Sequence, residues 1–418
     1  MIPLHLGLAV LAMTFAPQPA VSSSLVGRPV SPAWSGEGVA RVAPGAPAPA
    51  RTGQAPRRGS SASGPMPVRR VQRLLDAAPI IVCGTVVSVT EEGDATLATA
   101  RDGYRIWPVS VDRSQAAPAA PRLNKYGTSD LYAVGVLRAR VAVAATLKGA
   151  PLAWGDSVDV EFYDAVGGSS LWKWFDVGEH GVFFLDAENR VADLHYPFLP
   201  IAAGLPVPPA DLSPQGAVEW LTVQSLRPDT PEPVLASCVE AVIDLGLKEA
   251  VAPLRTVVAA DDAAIAGDGL WGLVALGDAS AVPAAVDFLL NPLEGMKMQH
   301  IRLDSAIVML GDPSLVPAVQ PLLASPDRML RGTALQVLRR MNNPVILPAV
   351  VPLLADPDQW VRYQAMMTLA HVTGRDNPEW TVAWPEFQKN PSYYLDKWSN
   401  WWETEGKAAY NTTAQSPK

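Results

Sequence analysis

The sequence predicts a multidomain chain in which a small β-barrel precedes an all-α solenoid of paired helices. Three observations carry this prediction. The C-terminal half repeats itself about every 31 residues. Several runs between residues 79 and 195 alternate polar and apolar side chains with period two. At 418 residues the chain is also too long for one compact core.

Self-comparison gives the strongest signal. LLASPDRMLRGTALQVL at 322–338 superposes on LLADPDQWVRYQAMMTL at 353–369 with a shift of 31, bringing Pro326, Asp327 and Arg331 onto Pro357, Asp358 and Arg362. LGDASAVPAAVDFLL, LGDPSLVPAVQPLLA and MNNPVILPAVVPLLA, starting at 276, 310 and 341, align Pro283, Pro317 and Pro348. An earlier copy reaches Pro253. Each unit reads as two helices. The first opens at Asp262, Asp327 or Asp358, where a carboxylate accepts free N–H groups. It closes at Gly277, Gly311 or Asn342, which tolerate a left-handed cap. The second carries Pro283, Pro317 or Pro348 in its first turn, where no hydrogen bond is lost. Asp327–Arg331 and Asp358–Arg362 read as i,i+4 pairs, and Ala334 and Ala365 leave room for close helix packing. These units occupy 214–375, and the helical part, 210–410, is expected to fold alone.

Before them, 68–200 reads as the β-rich domain. Val68 to Ala77 is a short amphipathic stretch, and Pro79–Val89 is rich in β-branched residues. In Leu131–Leu147, Leu137, Ala139, Val141 and Val143 face one way and Arg138 and Arg140 the other. Ser157–Tyr163 and Gly178–Leu185 are further strands, with Arg190–His195 a candidate last one. Residues 91–130 read as a long polar insertion, and 201–213 as a linker.

The repeats resemble the short bacterial HEAT unit found in phycobilisome lyases. The resemblance lies in the Asp-x-x-x-Arg of 327/331 and 358/362, the LGD of 276–278 and 310–312, and the Val/Leu-Pro of the second helix. It implies a HEAT-type α-α solenoid and, through the lyases alone, a bilin-lyase-like enzyme. The β-rich stretch resembles small OB-like barrels of exported bacterial proteins through IIVCGTVVSV, ATLKG, GDSVDVEF and FDVGEHGVFFL. It resembles the netrin/metalloproteinase-inhibitor barrel more loosely. That family needs an N-terminal cysteine and several disulfides, which this chain lacks, so inhibitor activity does not carry over.

Residues 376–406 are rich in tryptophan. Tyr394, Trp398, Trp401 and Trp402 share one helical face. They read as a cap over the last hairpin, with an exposed binding platform of Trp398, Trp401 and Trp402 as the alternative. Residues 407–418 read as a frayed tail.

At the other end, Leu6–Phe15 is an apolar run of signal-peptide length, far short of the ~20 residues of a membrane span. Small residues at Ala20 and Ser22 offer a cleavage site, so 1–22 reads as a signal peptide and the protein as exported. No cysteine suits a lipid anchor there. Residues 23–67, made of Pro, Ala, Gly, Ser and Arg, read as a disordered linker.

The net charge is −8, with eight arginines and one acid over 1–73, which leaves −15 for the remainder. That balance argues against nucleic acid as the partner. Cys83 and Cys238 form no metal or disulfide framework, although a bridge between them is conceivable in an oxidising compartment. Glu179-His180 has the residue types of an acid/base or ligand pair, but it opens a strand at a Gly-Glu turn with no second His or Cys near in sequence, so it reads as structural. The five histidines, at 5, 180, 195, 300 and 371, are widely separated. Without a nucleophile–base pair, metal cluster or phosphate loop, the expectation is a non-enzymatic scaffold with no cofactor that binds a protein partner.

Overall fold

The computed structural model describes residues 70–102, 105–114, 131–150, 156–165, 175–291 and 295–410. The expected signal peptide, the 23–67 linker, residues 115–130 and the last eight residues lie outside them. The described residues fall within one compact unit.

Helix α1 (Arg70–Ala77) buries Val71, Leu74 and Leu75, the apolar stripe of its 3.6-residue period. Six antiparallel strands follow: β1 (Ile80–Asp102), β2 (Arg105–Asp112), β3 (Leu131–Lys148), β4 (Ser157–Ala165), β5 (His180–Leu185) and β6 (Phe198–Pro200). The sheet order is β4-β3-β1-β5-β6, with β2 paired to the far half of β1. The polar insertion expected from residue 91 is corrected as far as 112. Residues 91–102 prolong β1, and 105–112 return along it as β2. Ala95, Leu97 and Ile106 are buried there, so one face of the charged run belongs to the core while Glu92 faces outward to Arg138 and Arg113.

The sheet closes through residues 189–194. Glu161 N donates to Asn189 O at 3.0 Å and Val191 N to Glu161 O at 3.1 Å, while Ala192 N donates to Phe184 O at 2.9 Å. The candidate strand at 190–195 is therefore reduced to bridges between β4 and β5. The interior is filled by Val82, Val86, Ala139, Val141 and Val160 and by a cluster of Phe162, Phe175, Phe183 and Phe198. Ring centroids in that cluster lie 4.6–5.3 Å apart. Arg138 and Arg140 face outward as the alternation requires, Arg140 pairing with Asp159 at 2.8 Å. Gly181 is required by close approach, since a Cβ there would lie 2.6 Å from Leu199 O.

The helical part runs α2 (Pro214–Gln224), α3 (Glu232–Leu245), α4 (Val251–Val258), α5 (Ala263–Ala275), α6 (Val282–Leu290), α7 (Lys297–Val308), α8 (Val316–Val319), α9 (Arg328–Met341), α10 (Leu347–Val350), α11 (Gln359–Val372), α12 (Trp384–Lys389), α13 (Pro391–Trp401) and α14 (Lys407–Tyr410). The first helices α3, α5, α7, α9 and α11 pack in succession. Pro283, Pro317 and Pro348 each occupy the second position of a second helix. Helices α8 and α10 last one turn and continue as 3₁₀ segments, Gln320–Ala324 and Val351–Ala355. Pro321 and Pro352 cause this, because each removes the N–H that an α-turn would bond four residues back. Residues 407–410, expected to fray, are helical.

The sheet and the helices share a core. One face of β1 and β5 (Ile81, Cys83, Val182, Phe184) joins the hydrophobic cluster of α1 and the helices, while Val82, Phe183 and Leu185 join the separate core of the β domain. Burial on both faces explains why HGVFFL reads as one apolar run. Polar contacts reinforce the seam: Val71 N donates to Asp244 Oδ2 at 2.8 Å, Arg70 pairs with Glu240 at 2.6 Å, and Lys148 Nζ donates to Leu75 O at 2.9 Å. The linker expected at 201–213 begins with Ile201 and Ala202 buried in this seam, where Ala202 N bonds Ser225 Oγ at 3.0 Å. The part expected to fold alone, 210–410, shares this core, with α3 packed against α1 and β6.

Candidate binding surface

Helices α5, α9 and α11 are fixed at their starts by the expected aspartates, whereas α3 and α7 start at Pro231 and Met296 without a side-chain cap. Asp262 accepts from Ala264 N at 2.8 Å, Asp327 from Met329 N at 2.7 Å, and Asp358 from Trp360 N at 2.9 Å. The i,i+4 pairs Asp327–Arg331 and Asp358–Arg362 do not form. Each aspartate is turned inward onto its own helix N-terminus, and the arginine four residues on curls back over the preceding loop. Arg331 bonds Ser325 O and Pro326 O at 2.9 and 3.0 Å, and Arg362 bonds Asp356 O and Pro357 O at 2.7 and 3.1 Å. The carboxylate that meets Arg331 belongs to the next repeat. Asp356, almost fully buried, receives it in a two-pronged pair at 2.7 and 2.8 Å. Arg328 likewise crosses to Asp358 at 2.9 Å, and this hydrogen bond holds the Asp358 carboxyl below its usual range. These arginines therefore clamp one repeat to the next.

At the C-termini, Gly277 (φ 83°) and Asn342 (φ 48°) adopt the left-handed cap. Gly311 does not, because α7 already ends at Val308, with Met309 as its right-handed cap.

The tryptophan tail is buried. Trp398, Trp401 and Trp402 are 0%, 4% and 5% exposed, so their rings form no open platform. Trp398 Nε1 donates to Trp380 O at 3.0 Å, and its ring lies 4.7 Å from Trp380 and 5.3 Å from Trp401. Helix α13 rests on α11 and on the 351–355 segment. Arg375 stands 4.7 Å over Trp401, and Lys397 stands 4.3 Å over Trp380. The chain leaves α13 through a π-helical turn, Trp402–Gly406, whose glycine is needed because a Cβ would lie 2.7 Å from Trp402.

Exposed apolar side chains lie elsewhere on the repeats. Met298, Met329 and Trp360 occupy the second position of α7, α9 and α11, each 31 residues from the last, and are 55%, 57% and 36% exposed. One turn further along, Ile301 is also exposed, while the Trp360 ring lies over the buried Gly332, where an added Cβ would meet it in ordinary contact at 3.6 Å. Trp360, Tyr363 and Trp384 then form a shelf with centroids 5.1–5.5 Å apart. Thioether and aromatic groups at a fixed register make an adaptable apolar contact strip. The 31-residue self-comparison contains this position but gives it no weight, because the residue type changes from Met to Trp.

Glu179-His180 sits in a cleft of about 390 Å³ between β5–β6 and the start of α3, lined also by Phe198, Arg227 and Thr230. His180 Nδ1 lies 2.8 Å from Thr85 Oγ1, and Nε2 lies 3.9 Å from Cys83 Sγ. Burial pushes the Cys83 thiol up to about 12 and lowers the His180 pKa. Both groups are thus neutral near pH 7, the wrong state for a thiolate–imidazolium nucleophile. Cys238 is also pushed up to about 12 by burial and donates to Pro200 O at 3.3 Å. Both thiols are free, so the conceivable Cys83–Cys238 bridge is not formed.

Residues 305–379 match the family described as HEAT repeats. None of the curated proteins matches the chain. Solved structures similar to the chain include an engineered protein (17% identity, 38% of this chain and 81% of that one, TM-score 0.29). A second is the CpcE–CpcF complex of phycocyanin lyase from Nostoc sp. (22%, 37% and 64%, TM-score 0.27). A third is a designed armadillo repeat protein in complex with the peptide (KR)4 (14%, 38% and 83%, TM-score 0.29).

Proposed function

We propose that the protein is an exported, non-enzymatic scaffold that binds a protein partner through its repeats. The observation that carries this reading is the exposed strip of Met298, Met329 and Trp360, repeated at the solenoid period and continued by Ile301 and the Trp384 shelf. Repeat arrays present such extended faces to protein ligands. Support for a non-catalytic role comes from Cys83 and His180: burial keeps the thiol behind the cleft protonated and lowers the pKa of the imidazole that lines it, so the pair offers no thiolate nucleophile. Support for export comes from Leu6–Phe15 and the small residues after it. The β domain is read as an OB-like barrel that anchors the first repeat.

The test uses the full chain with Met298→Asp and Met329→Asp together, beside a control, Val109→Asp, at an exposed position of β2. Capture from native extracts should recover a partner with the wild type and the control and lose it with the double variant. Equal recovery by all three overturns the strip as the binding face. Sequencing of the native N-terminus should find the chain cut after residue ~20 and outside the cytoplasm, and an intact Met1 in the cytosol overturns export.

A further inference from the structure

One oxygen of a buried carboxyl in α5 lacks a hydrogen-bond donor. Asp268 is wholly buried, and its Oδ1 accepts from Arg302 Nη1 of α7 at 3.0 Å. Oδ2 has no protein donor. A second carboxyl, Glu232 of α3, acts on Asp268 and raises its pKa further, after burial. Glu232 is itself held by Gln299 Nε2 of α7 at 3.1 Å.

Helix α5 packs against α3, α4, α6 and α7. Among the described residues, Glu232 and Arg302 are the charged groups that face Asp268 from those helices. Arg255 of α4 is committed to Asp278 at 2.8 Å, and Asp287 of α6 accepts from Asn291 Nδ2 at 2.9 Å. Arg302 is further fixed by the Trp271 ring, 5.0 Å beneath its guanidinium. One cation thus serves two carboxyls. A wholly buried carboxylate beside a second one is costly to ionise. A single proton resolves both the repulsion and the missing donor. Asp268 is wholly buried and Glu232 is not, so burial places the proton on Asp268.

We propose that Asp268 Oδ2 holds a proton and donates it to Glu232, making the α3–α5–α7 joint a proton-linked latch that tightens in mild acid. No atom is transferred beyond that proton, which exchanges with solvent.

The sign follows from the direction of the shift. Burial raises the Asp268 carboxyl to about 6, above its value in the unfolded chain. The folded state therefore keeps the proton to higher pH than the unfolded one. The stabilisation is fully present below the ordinary carboxylate range and is lost as pH rises through about 6.

Thermal melts of the full chain at pH 5, 6, 7 and 8 test this with Asp268→Asn, whose amide donates to Glu232 permanently while its oxygen accepts from Arg302. The gap between variant and wild type should widen in the variant's favour between pH 5 and 8. A gap constant over that range overturns the latch. Glu232→Gln supplies a second arm that holds even if Asp268→Asn does not fold. Removing the neighbouring carboxylate should move the pH at which stability falls to lower values, and an unchanged midpoint overturns the proposal.

Discussion

Replacing Trp398 by alanine removes the centre of the C-terminal cap. The ring is completely buried, packs on Trp380 and Trp401, and donates its N–H to Trp380 O. A buried tryptophan takes ~150–250 Å² out of water. At ~25 cal/mol per Å² that is about 4–6 kcal/mol as an upper bound. Partial collapse of the cavity offsets some of it, whereas the stranded Trp380 carbonyl adds to the cost, so ~3–5 kcal/mol is expected. In a domain of this size that corresponds to a melting-point drop on the order of 10 °C. Trp398→Phe should recover most of the packing and none of the hydrogen bond, losing about a third as much by the same area reasoning. Melts followed by far-UV circular dichroism, with near-UV spectra for the tryptophan signal, measure both. A loss below ~0.5 kcal/mol for Trp398→Ala, the size of an ordinary surface effect, refutes the cap.

The inter-repeat clamp predicts that Arg331→Ala costs about 3 kcal/mol, because it strands the buried Asp356 carboxylate. A double-mutant cycle should find strong coupling of Arg331 with Asp356 and almost none with Asp327. Both cysteines should resist a thiol reagent at pH 8 in the folded chain and react only on unfolding, since burial holds each near 12. A fragment starting at residue 210 should expose the apolar face of α3 and bind a hydrophobic dye, which the full chain should not. A fragment that melts like the full chain, with no dye binding, counts against the shared core.

The parts legible in the sequence are those with local periods. The Asp caps, the second-position prolines and the alternating Val/Arg of β3 each answer to neighbours within a few residues. What escaped reading is set by distant partners. The TEEGD run at 90–94 has the polarity of a loop, and only pairing with β3 makes it strand. The Arg331–Asp356 clamp spans a repeat boundary, so an i,i+4 template assigns the arginine to the wrong carboxylate. Within the repeats, Asp356 stands where the previous unit has Ser325, a change that 31-residue alignment exposes once its partner is known. The contact strip keeps its register but not its residue type, so matching identities passes over it.

The shared core has a consequence for how this array can grow. A stack of identical hairpins has no natural length, and each bare end is a template for another unit or another molecule. Here neither end is bare. The outer face of β1 and β5 with α1 covers α3, and the tryptophan cluster covers α11. The two lids are chemically unlike, one a sheet and the other a helical aromatic plug, so one molecule's tail cannot stand in for another's head. New length has to enter from within. The chain already shows where that is tolerated, in the step from Pro283 to Pro317, 34 residues where the following step to Pro348 takes 31. The stack is a finite oligomer of hairpins written into one chain, protected at both ends from becoming a fibre.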